Sequence, residues 1–374
     1  MSPHVLHVVE SMNRGAVENW LERMFLHGRA RGVALDWTFY CAHGQPGVLD
    51  ARLREAGAHV VYSPVPLGQP LAFARALRRE IARGGYDVLH AHHDLVSALY
   101  LSATAGLPVR RRLVHVHNAD ETVPTVGWKR GLLRPALRWT ALRLADRIVG
   151  ISQHTLDTFL AGRPRRPGRD HVHYYGVDPA PFARATADRA AFRSGLGLAT
   201  DARLLVFGGR LVPEKNPVFA VDVLAEMARR DDRVAGVFVG DGPLATDIVA
   251  RAEALGVAER VRLLGWRDGL PAILVCGDWF ILPRPETPME GLGLAVVEAQ
   301  LAGLRLVLSC GISDDTLLPG ASVVRLSLAA GARAWAEAAL ALPPAPGRTA
   351  AAAALAASPF DLDTALEDLV RLHA

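Results

Sequence analysis

Two pairs of residues in this chain have the types and the spacing to hold a phosphorylated, hydroxyl-rich ligand. Arg210 and Lys215 stand in G-G-R-L-V-P-E-K-N-P, after an apolar strand at Leu204–Phe207 and before a helix from about Val218 to Arg230. A forked guanidinium and a compact ammonium leaving a strand end together, beside a helix N-terminus, suit a diphosphate. The second pair is Glu290 and Glu298 in P-R-P-E-T-P-M-E-G-L-G-L-A-V-V-E, between the apolar run Trp279–Leu282 and a helix at about Leu294–Ala302. A strand–turn–helix–strand unit puts the helix N-terminus, at Gly293–Leu294, on the carboxyl edge of a parallel sheet, where its N–H groups and dipole favour an anion. Gly291 and Gly293 let a ligand approach the backbone closely. Two carboxylates flanking a phosphate can accept from hydroxyls, and a nucleotide sugar offers both. The plainer reading is a capped helix with two surface glutamates.

The elements around these residues alternate strand and helix. In the first half, strands at about His4–Val9, Leu35–Tyr40, His59–Tyr62, Val88–Ala91, Arg112–Val116 and Arg147–Ile151 alternate with helices at Val17–Arg31, Val48–Ala56, Leu71–Arg83, Leu95–Thr104 and Lys129–Leu144. After Y-Y-G-V-D-P-A-P-F at Tyr174–Phe182, which reads as a linker, the rhythm restarts with strands at Leu204–Phe207, Val234–Val239, Val261–Leu264 and Ala321–Leu326. The spacing predicts an α/β protein with two doubly wound parallel sheets. Domains are expected at 1–178 and 179–358, with a last helix in 359–374 that crosses back to the first. The first loop lacks G-x-G-x-x-G, which disfavours a dinucleotide site. Asp94 and Ser152 stand at expected helix N-caps, Asp241 in G-D-G-P reads as structural, and D-L-D at 361–363 as a helix cap.

Two strand ends are rich in histidine, H-A-H-H-D at 90–94 and V-H-V-H-N at 114–118. Residues of a strand alternate between its faces, so His115 and His117 point together whereas His90 and His93 do not, and a metal site is not expected. His117 emerges at the carboxyl end of a parallel strand, where open α/β sheets bind ligands; the alternative is a satisfied structural histidine.

The chain has 42 Lys+Arg, 38 Asp+Glu and a net charge of +4. Its first 180 residues hold 23 basic and 15 acidic residues, the rest 19 and 23, so the first half is expected to face an anionic partner. Only Lys129 and Lys215 are lysines among the 42 basic residues, which strengthens a specific role for Lys215. The segment 128–147 interleaves Lys129, Arg130, Arg134, Arg138, Arg143 and Arg147 with Leu132, Leu133, Leu137, Trp139, Leu142 and Leu144. It reads as a core-packed amphipathic helix, or as one that touches anionic lipid or a lipid diphosphate. Pro135 is expected to kink it or to start a second helix, and R-P-R-R-P-G-R at 163–169 reads as a loop. No apolar run reaches the roughly 18–20 residues of a membrane span. The start M-S-P-H-V-L-H-V-V-E reads as a strand, not a signal peptide, and Cys41, Cys276 and Cys310 show no C-x-x-C. A cytoplasmic protein with free thiols is expected.

The Glu290-x7-Glu298 motif with its internal G-L-G-L resembles the glutamate motif of the retaining nucleotide-sugar glycosyltransferases of family 4, which have the two-domain GT-B fold. The resemblance covers nearly the whole chain and is closest to the capsular and exopolysaccharide transferases, through H-V-V-E-S-M-N-R-G, V-H-V-H-N and L-S-C-G-I-S-D-D. It implies that Glu290 contacts the transferred sugar and Glu298 the ribose, that Arg210 and Lys215 hold the diphosphate, and that Gly15 lets the first loop approach the phosphates. It further implies that His117 contacts the donor sugar, and that the base is held near Trp266 and Arg267, with the two domains facing a cleft. No metal and no cofactor beyond the nucleotide sugar is expected. A UDP-sugar is the expected donor and a saccharide, lipid-linked or free, the acceptor; no nucleic-acid partner is expected. The chain departs from the family at Arg284 and the enlarged R-P-E-T-P-M, and at Tyr175, where the family has asparagine before G-V-D. A transferase acting on a small aglycone, an epimerase of nucleotide sugars and a degenerate donor-binding module are the alternatives.

Overall fold

Short runs of Val, Leu, Ile and Phe build two parallel sheets, each belonging to its own unit. The computed structural model describes residues 2–118, 128–185 and 188–374, with backbone alone for 128–132. One unit comprises Met1–Gly176 with Pro359–Ala374, the other Val177–Ser358. The first contains β1 (His4–Val9), β2 (Asp36–Cys41), β3 (His59–Tyr62), β4 (Val88–Ala91), β5 (Arg111–Val116), β6 (Arg147–Gly150) and β7 (Asp170–Val172). The second contains β8 (Arg203–Gly208), β9 (Val234–Val239), β10 (Val261–Gly265), β11 (Trp279–Leu282), β12 (Arg305–Ser309) and β13 (Val323–Leu326). Their strand orders are β3-β2-β1-β4-β5-β6-β7 and β10-β9-β8-β11-β12-β13. The edge strand β7 lies between the 163–169 loop and the 174–182 linker, where the sequence suggested no element.

In each sheet the order reverses once, between β1 and β4 and between β8 and β11. Loops leaving two strands at such a point diverge and open a crevice at the carboxyl edge. The central strands are covered on both faces, which is why they read as unbroken apolar runs. All four residues of W-F-I-L in β11 are at most 1% exposed. The predicted phosphate loops therefore leave β8 and β11, the two strands beside the switch in the second sheet.

The last helix, Leu362–His373, starts at Asp361, whose carboxylate accepts from Thr364 N–H at 2.9 Å. Its Ala365, Leu366, Leu369 and Leu372 recur at helical spacing and are buried. Each buried leucine contributes about 1.5–3 kcal/mol relative to exposure. Gly28, on the helix Ala16–Ala30, permits the close crossing: a Cβ there would lie 3.4 Å from Leu366 and press on Leu35. Asp363 then bonds His27 at 2.7 Å and Arg31 at 3.2 Å.

Some local expectations change. Ser152 caps its helix with a reciprocal Thr155 bond, but Asp94 is no N-cap. It opens a short 3-10 turn with φ 42°. Helix Trp128–Leu144 runs through Pro135 without a break. Tyr175, read as part of a linker, is 2% exposed and stacks on Trp20 at 4.6 Å between ring centres. The basic turn at 163–169 is tied down by Arg165 to Asp157 at 2.8 Å and Arg169 to Asp170 at 2.6 Å.

Cys310 is exposed, whereas Cys41 and Cys276 are buried. Burial, aided by the Asp50 charge, pushes the Cys41 thiol up to about 12, and burial raises Cys276 as well. Ellman's reagent should therefore titrate one thiol in the native protein and three after unfolding, with the native signal lost in Cys310→Ser. Rapid reaction of a second native thiol would contradict this packing.

Candidate active site

The loop after β8 is shaped by close backbone contacts. Gly209 has φ 148° and Gly240 φ 134°, and a Cβ on Gly240 would collide with the Gly209 carbonyl. Leu211 N–H donates to Asp241 O at 2.8 Å. A short turn, Pro213–Lys215, then places Lys215 just before helix Pro217–Ala228, with Asn216 in the left-handed region at φ 50°. There the Lys215 ammonium meets Glu290 Oε2 at 2.6 Å.

Glu290 is also bound by Arg284, whose Nη1 donates to the same oxygen at 2.9 Å. Arg284 is 7% exposed. It further donates to the carbonyls of Pro288 at 3.0 Å, Glu214 at 3.2 Å and Met289 at 3.3 Å. One guanidinium thus fastens the 284–290 loop to itself and to the Lys215 loop. A third segment joins through Glu290 N–H, which donates to Gly311 O at 2.8 Å. A Cβ on Gly311 would strike the Pro285 carbonyl, so this approach requires glycine. Burial pushes the Glu290 carboxyl up, but Lys215, Arg284 and more distantly Arg210 outweigh it and hold it below the usual carboxylate range. Three cations act on this one carboxylate, an arrangement suited to an added anion.

Gly293, at φ 76°, caps helix Leu294–Leu301. The helix is anchored by buried Gln300, which donates to Thr316 O at 2.9 Å and accepts from Leu318 N–H at 2.7 Å. Glu298 is half-buried on it. At the β10 end, Asp241 accepts from Trp266 N–H at 3.1 Å, confirming its structural role. Trp266 is 55% exposed.

In the first unit, His117 follows β5 and is 7% exposed. Its N–H donates to Asp94 Oδ1 at 2.8 Å, its Nε2 pairs with His92 Nδ1 at 3.0 Å, and its Nδ1 bonds the Tyr175 hydroxyl. Burial, reinforced by His93 and His173, lowers it to about 3, so the ring is neutral at pH 7. A pocket of about 250 Å³ adjoins it, lined among others by Glu10, His43, His93, Asp94 and Asn118. Gly15 caps helix Ala16–Ala30, and a Cβ there would collide with the Glu18 carboxylate.

Comparison with known proteins decides the lineage. Residues 17–181 match Glycosyltransferase Family 4, and residues 202–342 match Glycosyl transferases group 1. The putative glycosyltransferase EpsF of Bacillus subtilis is 29% identical over 89% of this chain and 86% of its own. The chain belongs to glycosyltransferase family 4. The UDP-Gal:alpha-D-GlcNAc-diphosphoundecaprenol alpha-1,3-galactosyltransferase of Escherichia coli is 28% identical over 63% of this chain; the match spans 60% of that enzyme's length. Anabaena Alr3699/HepE, solved in complex with UDP-glucose, has a TM-score of 0.74 over 98% of both chains at 20% identity. The two parallel-sheet units are thus those of a GT-B glycosyltransferase.

In this glycosyltransferase, Lys215 and Glu290 meet directly. Arg210 is exposed on the same loop and contributes to the field at Glu290. Gly293, Leu294 and Glu298 lie on the adjoining helix start, and Trp266 and exposed Arg267 follow β10. His117 and Gly15 belong to the other unit. Both ring nitrogens of His117 are already bonded, so a sugar contact through the ring requires one of these bonds to open. Arg284 and Asp94 are site residues that sequence reasoning missed. Arg284 read only as a departure, and nothing in its residue type separates it from the other arginines. Asp94 was assigned to a cap because its neighbours spell a helix start.

Replacing Arg284 by lysine keeps the charge but removes the fork. It should cost about 2 kcal/mol, the scale of one or two charge-assisted hydrogen bonds, read as a lower urea midpoint. An unchanged midpoint would show that the clamp is dispensable.

Proposed function

We propose that this glycosyltransferase moves a hexose from a UDP-sugar to a saccharide acceptor, lipid-linked in its natural setting, with retention of anomeric configuration. The observation that carries the proposal is the Lys215–Glu290–Arg284 cluster with Arg210 beside it, at the switch point of the second sheet. Support comes also from HepE, solved with UDP-glucose, and from the E. coli relative, named for a UDP-Gal donor and a diphosphoundecaprenol acceptor. The resemblance of H-V-V-E-S-M-N-R-G, V-H-V-H-N and L-S-C-G-I-S-D-D to the capsular and exopolysaccharide transferases favours a role in polysaccharide synthesis.

In this reading Arg210, Lys215 and the N–H groups at Gly293–Leu294 bind the diphosphate and take up the charge that grows on it as the anomeric C–O bond breaks. These fixed cations do this work without a metal ion. Glu298 accepts from the ribose hydroxyls and Glu290 from the sugar, while Trp266 and Arg267 border the base. The acceptor oxygen bonds the anomeric carbon on the face the diphosphate leaves, and its proton passes to the departing phosphate oxygen. The first unit's pocket beside His117 receives the acceptor, Asp94 fixing the strand end that bears the histidine.

Lys215→Ala should lower kcat/KM by roughly two to three powers of ten, the scale of one lost transition-state charge donor, without unfolding. Glu298→Gln should mainly weaken UDP binding. Activity within threefold of wild type in Lys215→Ala removes the diphosphate assignment. UDP released equally with and without a saccharide acceptor removes the transferase reading for these substrates.

The same protein is proposed to sit peripherally on an anionic, cytoplasmic membrane face. Among the described residues no helix is long and apolar enough to cross a membrane. Leu133 and Trp139 are 57% and 61% exposed on helix Trp128–Leu144. A groove of about 290 Å³ joins Trp139, Leu142 and Arg143 to Arg163, Pro164, Arg166 and Arg169, bringing together the two basic stretches that were separate in sequence. The side chains of Trp128, Lys129, Arg130 and Leu132 lie outside the described residues. Each basic residue near such a surface adds on the order of 1 kcal/mol. Binding to anionic but not neutral vesicles in co-sedimentation, lost at high salt and in Trp139→Ala/Arg143→Gln/Arg166→Gln, is expected. Absence of binding at low salt overturns it.

A further inference from the structure

Seven histidines of the first unit are buried: His7, His90, His92, His115, His117, His173 and His373. Comparing His90 with His93 hid the pattern, because it is His92 that shares a face with His90. His7 on β1 stands in register with His90 on β4. The last helix brings His373 to the same face, its Nε2 2.9 Å from His90 Nδ1.

Counting donors and acceptors shows what these rings lack. A neutral imidazole has one N–H and one lone pair. Tyr175, His117, His92 and His7 form a line, His117 Nε2 to His92 Nδ1 and His92 Nε2 to His7 Nδ1, each at 3.0 Å. The line ends at His7 Nε2, buried and without a hydrogen-bond partner. A buried nitrogen left without a partner is unfavourable; in the tautomer that carries the His7 proton on Nδ1, the lone pair of Nε2 is the unmet group, and a ligand that takes it relieves the penalty. Burial first, and neighbouring histidines second, hold His7, His90 and His92 uncharged; the uncharged ring is the form that ligates a metal.

We propose that His7, His90 and His373 bind one divalent transition-metal ion, zinc in the first instance, that fastens the last helix to the sheet. One ring nitrogen from each lies within 4.8 Å of the others. Tetrahedral co-ligands at the usual Zn–N length of about 2.0–2.1 Å stand about 3.3 Å apart, so the 2.9 Å His90–His373 pair needs only a small spreading. Each sheet ligand already has an outer partner on its other nitrogen. His7 Nδ1 pairs with His92, and His90 Nε2 with His115 at 3.2 Å. That is the arrangement that fixes ring orientation at metal sites. A second grouping, His90, His92 and His115, also has the right spacing, but both nitrogens of His92 are committed to histidines outside it, His7 and His117. All-imidazole donors select zinc, cobalt, nickel or copper over magnesium or calcium.

The test uses the full chain, produced without a polyhistidine tag, stripped with chelator and titrated with Zn²⁺ or Co²⁺. One ion per chain, the visible absorption of tetrahedral Co²⁺, and a Tm raised by about 5 °C or more at a hundredfold excess over Kd are expected. His373→Gln and His7→Gln should each lose the ion and the shift. His171→Gln, outside the cluster, should keep both. No retained ion and no Co²⁺ band in the wild type overturns the proposal without recourse to any variant. So does an undiminished band in both His373→Gln and His7→Gln.

Discussion

A single half-buried carboxylate organises the second unit. Glu290 is held by Lys215 and Arg284 on the same oxygen, and its backbone N–H is bonded to Gly311. Desolvating a carboxylate is costly unless cations and donors replace water. Here the segments that follow β8 and β11 converge to supply the cations, and the segment after β12 accepts from the Glu290 backbone N–H. The loops are thus fixed by the needs of one charge, and the anion-binding groups they carry are placed as a result. Their excess of cations over this carboxylate leaves the cluster ready for a negatively charged ligand without further rearrangement of charge.

The first unit solves its positioning problem with neutral groups. His117 is fixed by Asp94 at its backbone, Tyr175 at one nitrogen and His92 at the other. Trp20 packs against His115 and Tyr175 and closes the wall. In such a dry setting imidazoles can be oriented by hydrogen bonds alone, since none carries charge to be solvated. The two units therefore use opposite electrostatic means at their sheet edges, ion pairing in one and a neutral bonded array in the other.

Much of the fold was legible because parallel strands buried on both faces leave long apolar runs. Leu204–Phe207 and Trp279–Leu282 could hardly be anything else. The Arg210/Lys215 and Glu290/Glu298 pairs were legible for a related reason: loop residues at strand ends are few, and their charges are exceptional against the apolar runs they follow. What stayed hidden depended on distant partners. Arg284 looks like one more arginine until Glu214 and Glu290 are placed beside it. Tyr175 sits in a Gly/Pro-rich stretch that locally says linker, and only Trp20 and His117 make it core. The histidine array escaped because strand alternation was applied to 90 and 93, one residue away from the pair that matters.

The first unit is not contiguous in the chain. It needs Met1–Gly176 and then Pro359–Ala374, with Val177–Ser358 made in between. At translation rates of about 5–20 residues per second, that interval lasts roughly 10–35 s. During it helix Ala16–Ala30 and the strand bearing His90 lack the helix that brings Leu366 and His373 to them. A nascent chain thus carries an uncovered apolar and imidazole surface while its second unit is still being made. That surface closes only once Pro359–Ala374 has been made.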